Sequence, residues 1–269
     1  MARTIACANQ KGGVGKTTTV VDLSSALGRG GDHVLVIDLD PQGNATSGLG
    51  IDRTTVERSV YDAVMDGASL EGSIVRGPSD GVDIVPSTVA LAGAEVELAG
   101  VEARERRLYR LIEPLRARYD VIFIDCPPSL GLLTVNALTA ADAVLIPLQC
   151  EYYALEGLTQ LLATIDLVRD HLNPRLAIDG VVLTMADART NLSADVEAEA
   201  RRHLGELVYD TVIPRSVRLS EAPSHGLPID RYAPESRGAI AYAALAEEFR
   251  RRHGWTTGAT ALEPEAVPA

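Results

Sequence analysis

Short apolar runs alternate along the chain with longer stretches whose apolar residues recur at helical spacing. Residues 4–8, 34–37, 82–86, 121–124, 143–147 and 178–184 have the length and composition of buried strands. Residues 19–27, 91–98, 104–118, 131–140, 237–253 and a stretch ending near His171 read as helices. Pro114 is expected to kink or split the third of these, and Asn173-Pro174 to stop the helix that ends near His171. In the last helix, Ile240, Ala243, Ala244 and Leu245 form the expected apolar side. Strand and helix in alternation predict an α/β fold with one doubly wound, mostly parallel sheet flanked by helices. Residues 47–100 give only short helical patterns besides the strand at 82–86. Beyond Gly254, with Pro264 and Pro268, the pattern lapses. The expectation is a single domain over residues 1–253 and a disordered tail over 254–269.

Three of the strands end in residues that carry chemistry. Residues 4–8 run into Asn9-Gln10-Lys11-Gly12-Gly13-Val14-Gly15-Lys16-Thr17-Thr18, and a helical pattern follows at once. Strand, glycine-rich loop and helix make up the context of a phosphate-binding loop. Its backbone N–H groups turn around an anion, and the helix N-terminus adds positive partial charge. Lys16 is then placed on the β- and γ-phosphates, and the Thr17 hydroxyl on Mg²⁺. The run 121–124 ends in Asp125, the Walker B pattern, which sets a carboxylate near that metal directly or through water. The run 34–37 ends in Asp38-Leu39-Asp40-Pro41-Gln42-Gly43-Asn44. Alone that is a surface turn; beside a phosphate loop its carboxylates suit metal and water management.

The loop departs from the general pattern in one respect. Gln10 stands where the first glycine is usual, and a second lysine, Lys11, opens the loop. This deviant Walker A stretch resembles the ParA/Soj chromosome- and plasmid-partitioning ATPases. The extra lysine alone does not separate them from MinD, the nitrogenase iron protein or the arsenite-pump ATPase. Two further stretches are similar to ParA/Soj: Gln149 to Leu158, which is unlike MinD, and Val212 to Gly226. The resemblance covers about residues 3–253.

That resemblance implies an ATPase with slow intrinsic turnover that uses ATP and Mg²⁺. An ATP-bound sandwich homodimer binds double-stranded DNA without sequence preference. Hydrolysis, stimulated by a ParB/Spo0J-like partner, releases it. The implied location is cytoplasmic and nucleoid-associated. Lys11 reaches the partner's nucleotide, Asp40 positions the attacking water, and Asp38 lies in the metal's outer shell. With Lys11 through Thr18, the nucleotide is met by Met185 at the end of the strand 178–184 and by Pro214, Arg215 and Ser216. Arg189, Arg215, Arg218 and Arg237 are the implied DNA contacts. The segment Cys126 to Leu130 resembles a γ-phosphate-sensing switch, although its two prolines equally just end a strand. Residues 91–98 resemble part of a dimer face and read equally as an ordinary amphipathic helix.

Composition sharpens the picture in two places. The net charge is −12, a field that repels DNA and anionic membranes, so any nucleic-acid contact must come from a local basic patch. Cys7, Cys126 and Cys150 are odd in number and lack metal-ligand spacing, and they read as buried thiols in a reducing cytoplasm. No signal peptide and no bilayer-spanning run are expected. The alternative is a MinD-like membrane-cycling ATPase, which requires a basic amphipathic C-terminus. Here no lysine or arginine follows Arg252. An iron–sulfur role lacks a suitable cysteine set.

Overall fold

The computed structural model describes residues 1–77, 79–151 and 154–255, with the side chains of 154–156 outside that description. In chain order the elements are β1 (Arg3–Cys7), α1 (Lys16–Arg29), β2 (Val34–Asp38), α2 (Asn44–Gly48), α3 (Val60–Asp66), β3 (Val75–Arg76), β4 (Val82–Val85), α4 (Leu91–Glu97) and α5 (Arg107–Ile112). Then follow β5 (Val121–Asp125), α6 (Leu132–Ala140), β6 (Ala143–Gln149), α7 (Ala154–His171), β7 (Ala177–Ala186), α8 (Asn191–Leu204), β8 (Val208–Pro214), α9 (Val217–Glu221), α10 (Ile229–Tyr232) and α11 (Arg237–His253). Among the described residues the strands form one eight-stranded sheet, in the order β3-β4-β2-β5-β1-β6-β7-β8. All neighbours are parallel except β3, which runs antiparallel to β4 at one edge.

The strand sequences explain the layers. In β2 and β5 every residue is buried. Leu35, Ile37, Ile122 and Ile124 pack on one face, where α3 to α7 bring Val60, Leu91, Leu108, Leu133 and Leu161. Val34, Val36, Val121 and Phe123 pack on the other, against Val20, Leu23 and Leu27 of α1 and Tyr242, Leu245 and Phe249 of α11. Strands covered on both faces read as continuous Val/Ile/Leu runs, which is why they stood out in the sequence.

The last helix corrects one expectation. Its buried face is Ala239, Tyr242, Leu245, Ala246 and Phe249, whereas Ile240, Ala243 and Ala244 face solvent. The two aromatic rings set its rotation, because burying them removes far more apolar area from water than burying alanines. The stretch 104–118 is split as expected. Arg104–Arg106 and Glu113–Leu115 are 3₁₀ turns flanking α5, with Pro114 inside the second. Strand β8, the edge strand β3 and helix α8 were not anticipated.

Helix α1 is held along its length by the C-terminal quarter of the chain. Tyr242 Oη lies 3.2 Å from Thr19 Oγ1. Asp22 Oδ1 accepts from Ile229 N at 2.8 Å, and Ser25 Oγ donates to Asp230 Oδ1 at 2.9 Å. At the far end the buried Arg250 guanidinium donates to Leu27 O at 2.8 Å, satisfying a helix-terminal carbonyl, and pairs with Asp32. Arg250 lies so close over Gly30 that a Cβ there would stand 2.0 Å from its Nη2. Of the expected disordered tail, residues 254–269, Gly254 caps α11 and Trp255 N donates to Arg250 O at 2.9 Å, so these two belong to the domain, and residues 256–269 lie outside the described residues.

Candidate nucleotide and metal site

Ligands in parallel α/β sheets sit beyond the carboxyl ends of the strands, at the point where strand order reverses. Here β1 lies between β5 and β6, and its partner register sets Cys7 level with Asp125. On the other side of β5, Asp38 is level with Asp125 as well. The loop 8–15 and the two carboxylates therefore emerge side by side, as a consequence of register alone.

The loop is fixed by its own polar groups. Asn9 Nδ2 donates to Pro147 O at 2.7 Å, and Asn9 Oδ1 accepts from Lys11 N at 3.0 Å. Thr184 Oγ1 donates to Val14 O at 2.8 Å. Gly13 and Gly15 have φ of 74° and 89°, the left-handed region that glycine adopts without strain. Gly12 is different. Its φ is not positive, and a Cβ added there would meet only Pro128 Cβ at an ordinary 3.9 Å. Nothing in its own fold requires glycine at position 12.

The two lysines point in different directions. Lys16 is 6% exposed, and its Nζ turns back over the loop to donate to Lys11 O at 3.2 Å. Lys11 Nζ points away and pairs with Glu151 at 3.3 Å on the surface. No side chain caps the start of α1, so its first N–H groups face the loop.

Behind the loop is a buried acidic cluster. Thr17 Oγ1 donates to Asp125 Oδ2 at 2.8 Å, while Asp125 Oδ1 is buried with no hydrogen-bond partner. Burial first, then the Asp38 charge, push the Asp125 carboxyl well above the usual range. Asp38 is pushed up to about 6, chiefly by burial, against hydrogen bonds from Thr46 and Asp40 N. Both Asp38 oxygens are already used: Oδ2 accepts from Thr46 N and Thr46 Oγ1, and Oδ1 from Asp40 N. Asp40 Oδ1 accepts from Gln42 N at 2.9 Å. A cation beside Thr17 and Asp125 fits this arrangement, because it answers both the orphaned oxygen and the mutual repulsion of the acids. Among the described residues no group of three or more His, Cys, Asp or Glu can hold a metal alone. Phosphate oxygens and water must complete the shell, the usual habit of Mg²⁺.

A cleft of about 370 Å³ continues from the loop, lined by Gly15, Thr18, Met185, Pro214, Ser216 and Tyr242. Ala186 and Pro214 are in register, and Arg215 N donates to Ala186 O at 2.9 Å, so the ends of β7 and β8 form one wall. Met185 has φ of 54°, a strained conformation for a non-glycine residue and one that gathers at ligand sites. Tyr242 and Thr184 were not singled out in the sequence. Each sits inside a run assigned to core packing, and only tertiary contact brings it to the cleft.

The four arginines gather at one corner. Arg189 follows β7, Arg215 follows β8, Arg218 is on α9, and Arg237 opens α11, whose Gly238 packs against Leu219 of α9. Two are already engaged. Arg189 forks onto Asp187 at 2.8 and 2.6 Å and holds that carboxyl below its ordinary range. Arg218 donates to Glu221 at 2.8 Å. Of the segment from Gln149 to Leu158, residues 152 and 153 lie outside the described residues. Cys7, Cys126 and Cys150 are free and buried.

A glycine-rich loop between β1 and α1, an inward lysine, and a threonine bonded to a strand-end aspartate define a P-loop nucleoside triphosphatase. The profile of the AAA domain matches residues 2–178. The sporulation initiation inhibitor protein Soj of Bacillus subtilis is 58% identical over 92% of this chain and 98% of its own length. The chromosome partitioning protein ParA of Caulobacter vibrioides is 53% identical over 93% of this chain and 94% of its own. A crystal structure of cobyrinic acid a,c-diamide synthase from Mycobacterium smegmatis, with bound ATP analog and magnesium, matches with a TM-score of 0.82 at 40% identity, covering 94% of this chain and 96% of that one. The chain belongs to the ParA/Soj family of chromosome-partitioning ATPases. Among the described residues no helix is long and apolar enough to cross a membrane.

Proposed function

We propose that this chain is an ATP- and Mg²⁺-dependent DNA-partitioning switch, built as one ATPase domain over residues 1–253. ATP closes a sandwich homodimer that binds double-stranded DNA without sequence preference, and hydrolysis stimulated by a ParB/Spo0J-like partner releases it. Its place is the cytoplasm, on the nucleoid. The observation that carries the reading is the opposed direction of the two loop lysines. Lys16 is turned into its own loop, whereas Lys11 points out of it. A lysine that cannot serve its own phosphates is available to those of a facing copy, and the steric freedom at Gly12 suits that approach.

Lys16 neutralises the β/γ-phosphates as a charged donor, and the N–H groups of Gly13 to Thr18 wrap them. Thr17 and Asp125 hold the metal side, and Asp38, bonded inward, acts from its outer shell. Mg²⁺, when bound, supplies charge neutralisation at the transferring phosphoryl group. Asp40, with Oδ1 tied to Gln42 N, orients water with Oδ2. Met185 and the segment Pro214 to Ser216 receive the base.

For DNA, one corner of four arginines is a small patch on a chain of net charge −12. Two corners joined in a dimer bind bivalently, which raises avidity without any new kind of contact. The ion pairs of Arg189 and Arg218 are exposed, weak and exchangeable for phosphate. The membrane-cycling alternative is disfavoured by the basic end of α11. Arg250 is buried on Asp32, and Arg251 and Arg252 pair with Asp210 and Glu248. DNA co-sedimentation with ATP, with ADP and without nucleotide tests the proposal. Pelleting with ATP alone is expected, and equal pelleting in all three would remove the switch.

A further inference from the structure

The nucleotide site and the half-exposed segment 87–97 are joined by a hydroxyl with no part in the function proposed above. Thr46, in the short helix α2 after β2, is fully buried. Its Oγ1 donates to Asp38 Oδ2 at 2.6 Å and accepts from Ser87 N at 2.9 Å. That hydroxyl has one proton, committed to the carboxylate, so its orientation is fixed at both ends. Ser87 follows β4 after Pro86 and leads into α4. The Ser87 hydroxyl beside this junction is buried with no partner, so the junction has a polar atom to spare for a second arrangement.

The other end of the segment is tied to the opposite flank of the site. Glu95 of α4 accepts from Leu133 N at 3.4 Å, at the start of α6, just after the loop that follows Asp125. Val89, between the two ties, is 74% exposed and Val96, just past the second, 79%, the two most exposed large aliphatic side chains after Met1 among the described residues. The segment is thus linked at one end, through Thr46, to Asp38 and near the other to the start of α6, with Leu91 and Ala94 in the core and Val89 and Val96 in solvent.

We infer that Thr46 is a positioning residue that couples the phosphate and metal side of the site to the 87–97 surface. When nucleotide and cation reset the Asp38–Asp125 pair, the Thr46 hydroxyl carries the change to the Ser87 amide, and α4 is ordered for contact with a second copy of the chain. This rests on the dimer proposed above and adds its internal trigger.

The test is amide hydrogen exchange over residues 87–97, with and without a non-hydrolysable ATP analogue and Mg²⁺. It is run at a concentration where light scattering reads monomer, so that a dimer cannot supply the protection. In the parent and in Thr46→Ser, which keeps the hydroxyl, nucleotide slows exchange there by about tenfold. In Thr46→Val, calorimetric affinity for the analogue stays within about threefold of the parent and the slowing is lost. Thr46→Ala removes the same hydroxyl and serves where the valine variant does not fold. Equal slowing without the hydroxyl overturns the relay, as does loss of nucleotide binding in the same variant, which would make Thr46 part of the binding site itself. Calorimetry on the parent separates the two proposals. Binding with no response at 87–97 removes the relay alone, whereas no binding removes the function and the relay together.

Discussion

The two halves of the site are built on opposite principles. At the ends of β1, β2 and β5, Lys16, Asp38, Asp40 and Asp125 are all buried, and the internal bonds of Asn9, Thr17, Thr46 and Thr184 fix their surroundings. At the ends of β7 and β8, the arginine side chains stand in water, Arg189 at 87% exposure, and hold only surface acids. A buried polar group left without its partner costs far more than an exposed one. The first half is therefore committed to one geometry and the second is free to exchange partners. This suits chemistry on one side and reversible attachment on the other.

Substitutions should break the two halves unequally. Asp40→Ala is expected to lower ATP turnover by about 10²-fold or more, as loss of a water-orienting carboxylate does, while ATP still binds and the dimer stays trapped. A variant that hydrolyses ATP at the parent rate would take Asp40 out of the mechanism. Lys16→Ala should weaken nucleotide binding by roughly 30- to 150-fold in calorimetry, the loss of one strong charge-assisted contact of about 2–3 kcal/mol. An unchanged affinity would mean the phosphates sit elsewhere.

Gly12→Val sharpens the comparison, because position 12 belongs to the buried half yet has space of its own. The variant should bind ATP within about threefold of the parent and remain monomeric in light scattering. Lys11→Ala should impair hydrolysis more than binding. A normal ATP-dependent dimer of Gly12→Val would falsify the facing-loop arrangement. The smallest effect belongs to the exposed half. Arg218→Ala in the Asp40→Ala background should leave ATP affinity alone and flatten the log–log salt dependence of DNA binding by about two, one lost phosphate contact per protomer. Equal slopes with and without Arg218 would move the DNA contacts away from this corner.

The sequence showed these halves with unequal clarity for a physical reason. The strands of the sheet centre are buried on both faces, so they appear as nearly unbroken apolar runs, and beside the phosphate loop their ends mark Asp38 and Asp125. Loop and helix start are local, within ten residues of one another. Strand β8 was hidden because Asp210 and Thr211 interrupt its apolar residues, its burial follows neither a continuous nor an alternating pattern, and it ends in proline. The rotation of α11 was misread because alanines carry little directional weight against Tyr242 and Phe249. Tyr242 at the cleft and Thr46 on Asp38 depend on contacts 223 and 8 residues apart in sequence. The first is beyond any local pattern, and the second lies in a five-residue helix too short to show a pattern of its own.

The clasp between the first and last helices also has a meaning for how the chain comes into being. During synthesis the phosphate loop and α1 leave the ribosome early, but Asp22, Ser25 and the carbonyl of Leu27 find their partners at Ile229, Asp230 and Arg250. Contacts so distant in sequence close late, since the entropy of a long loop must be offset before they form. A nascent chain stalled before residue 229 carries the whole glycine-rich loop on a helix with an open flank. That flank closes only once the segment 229–250 has been made.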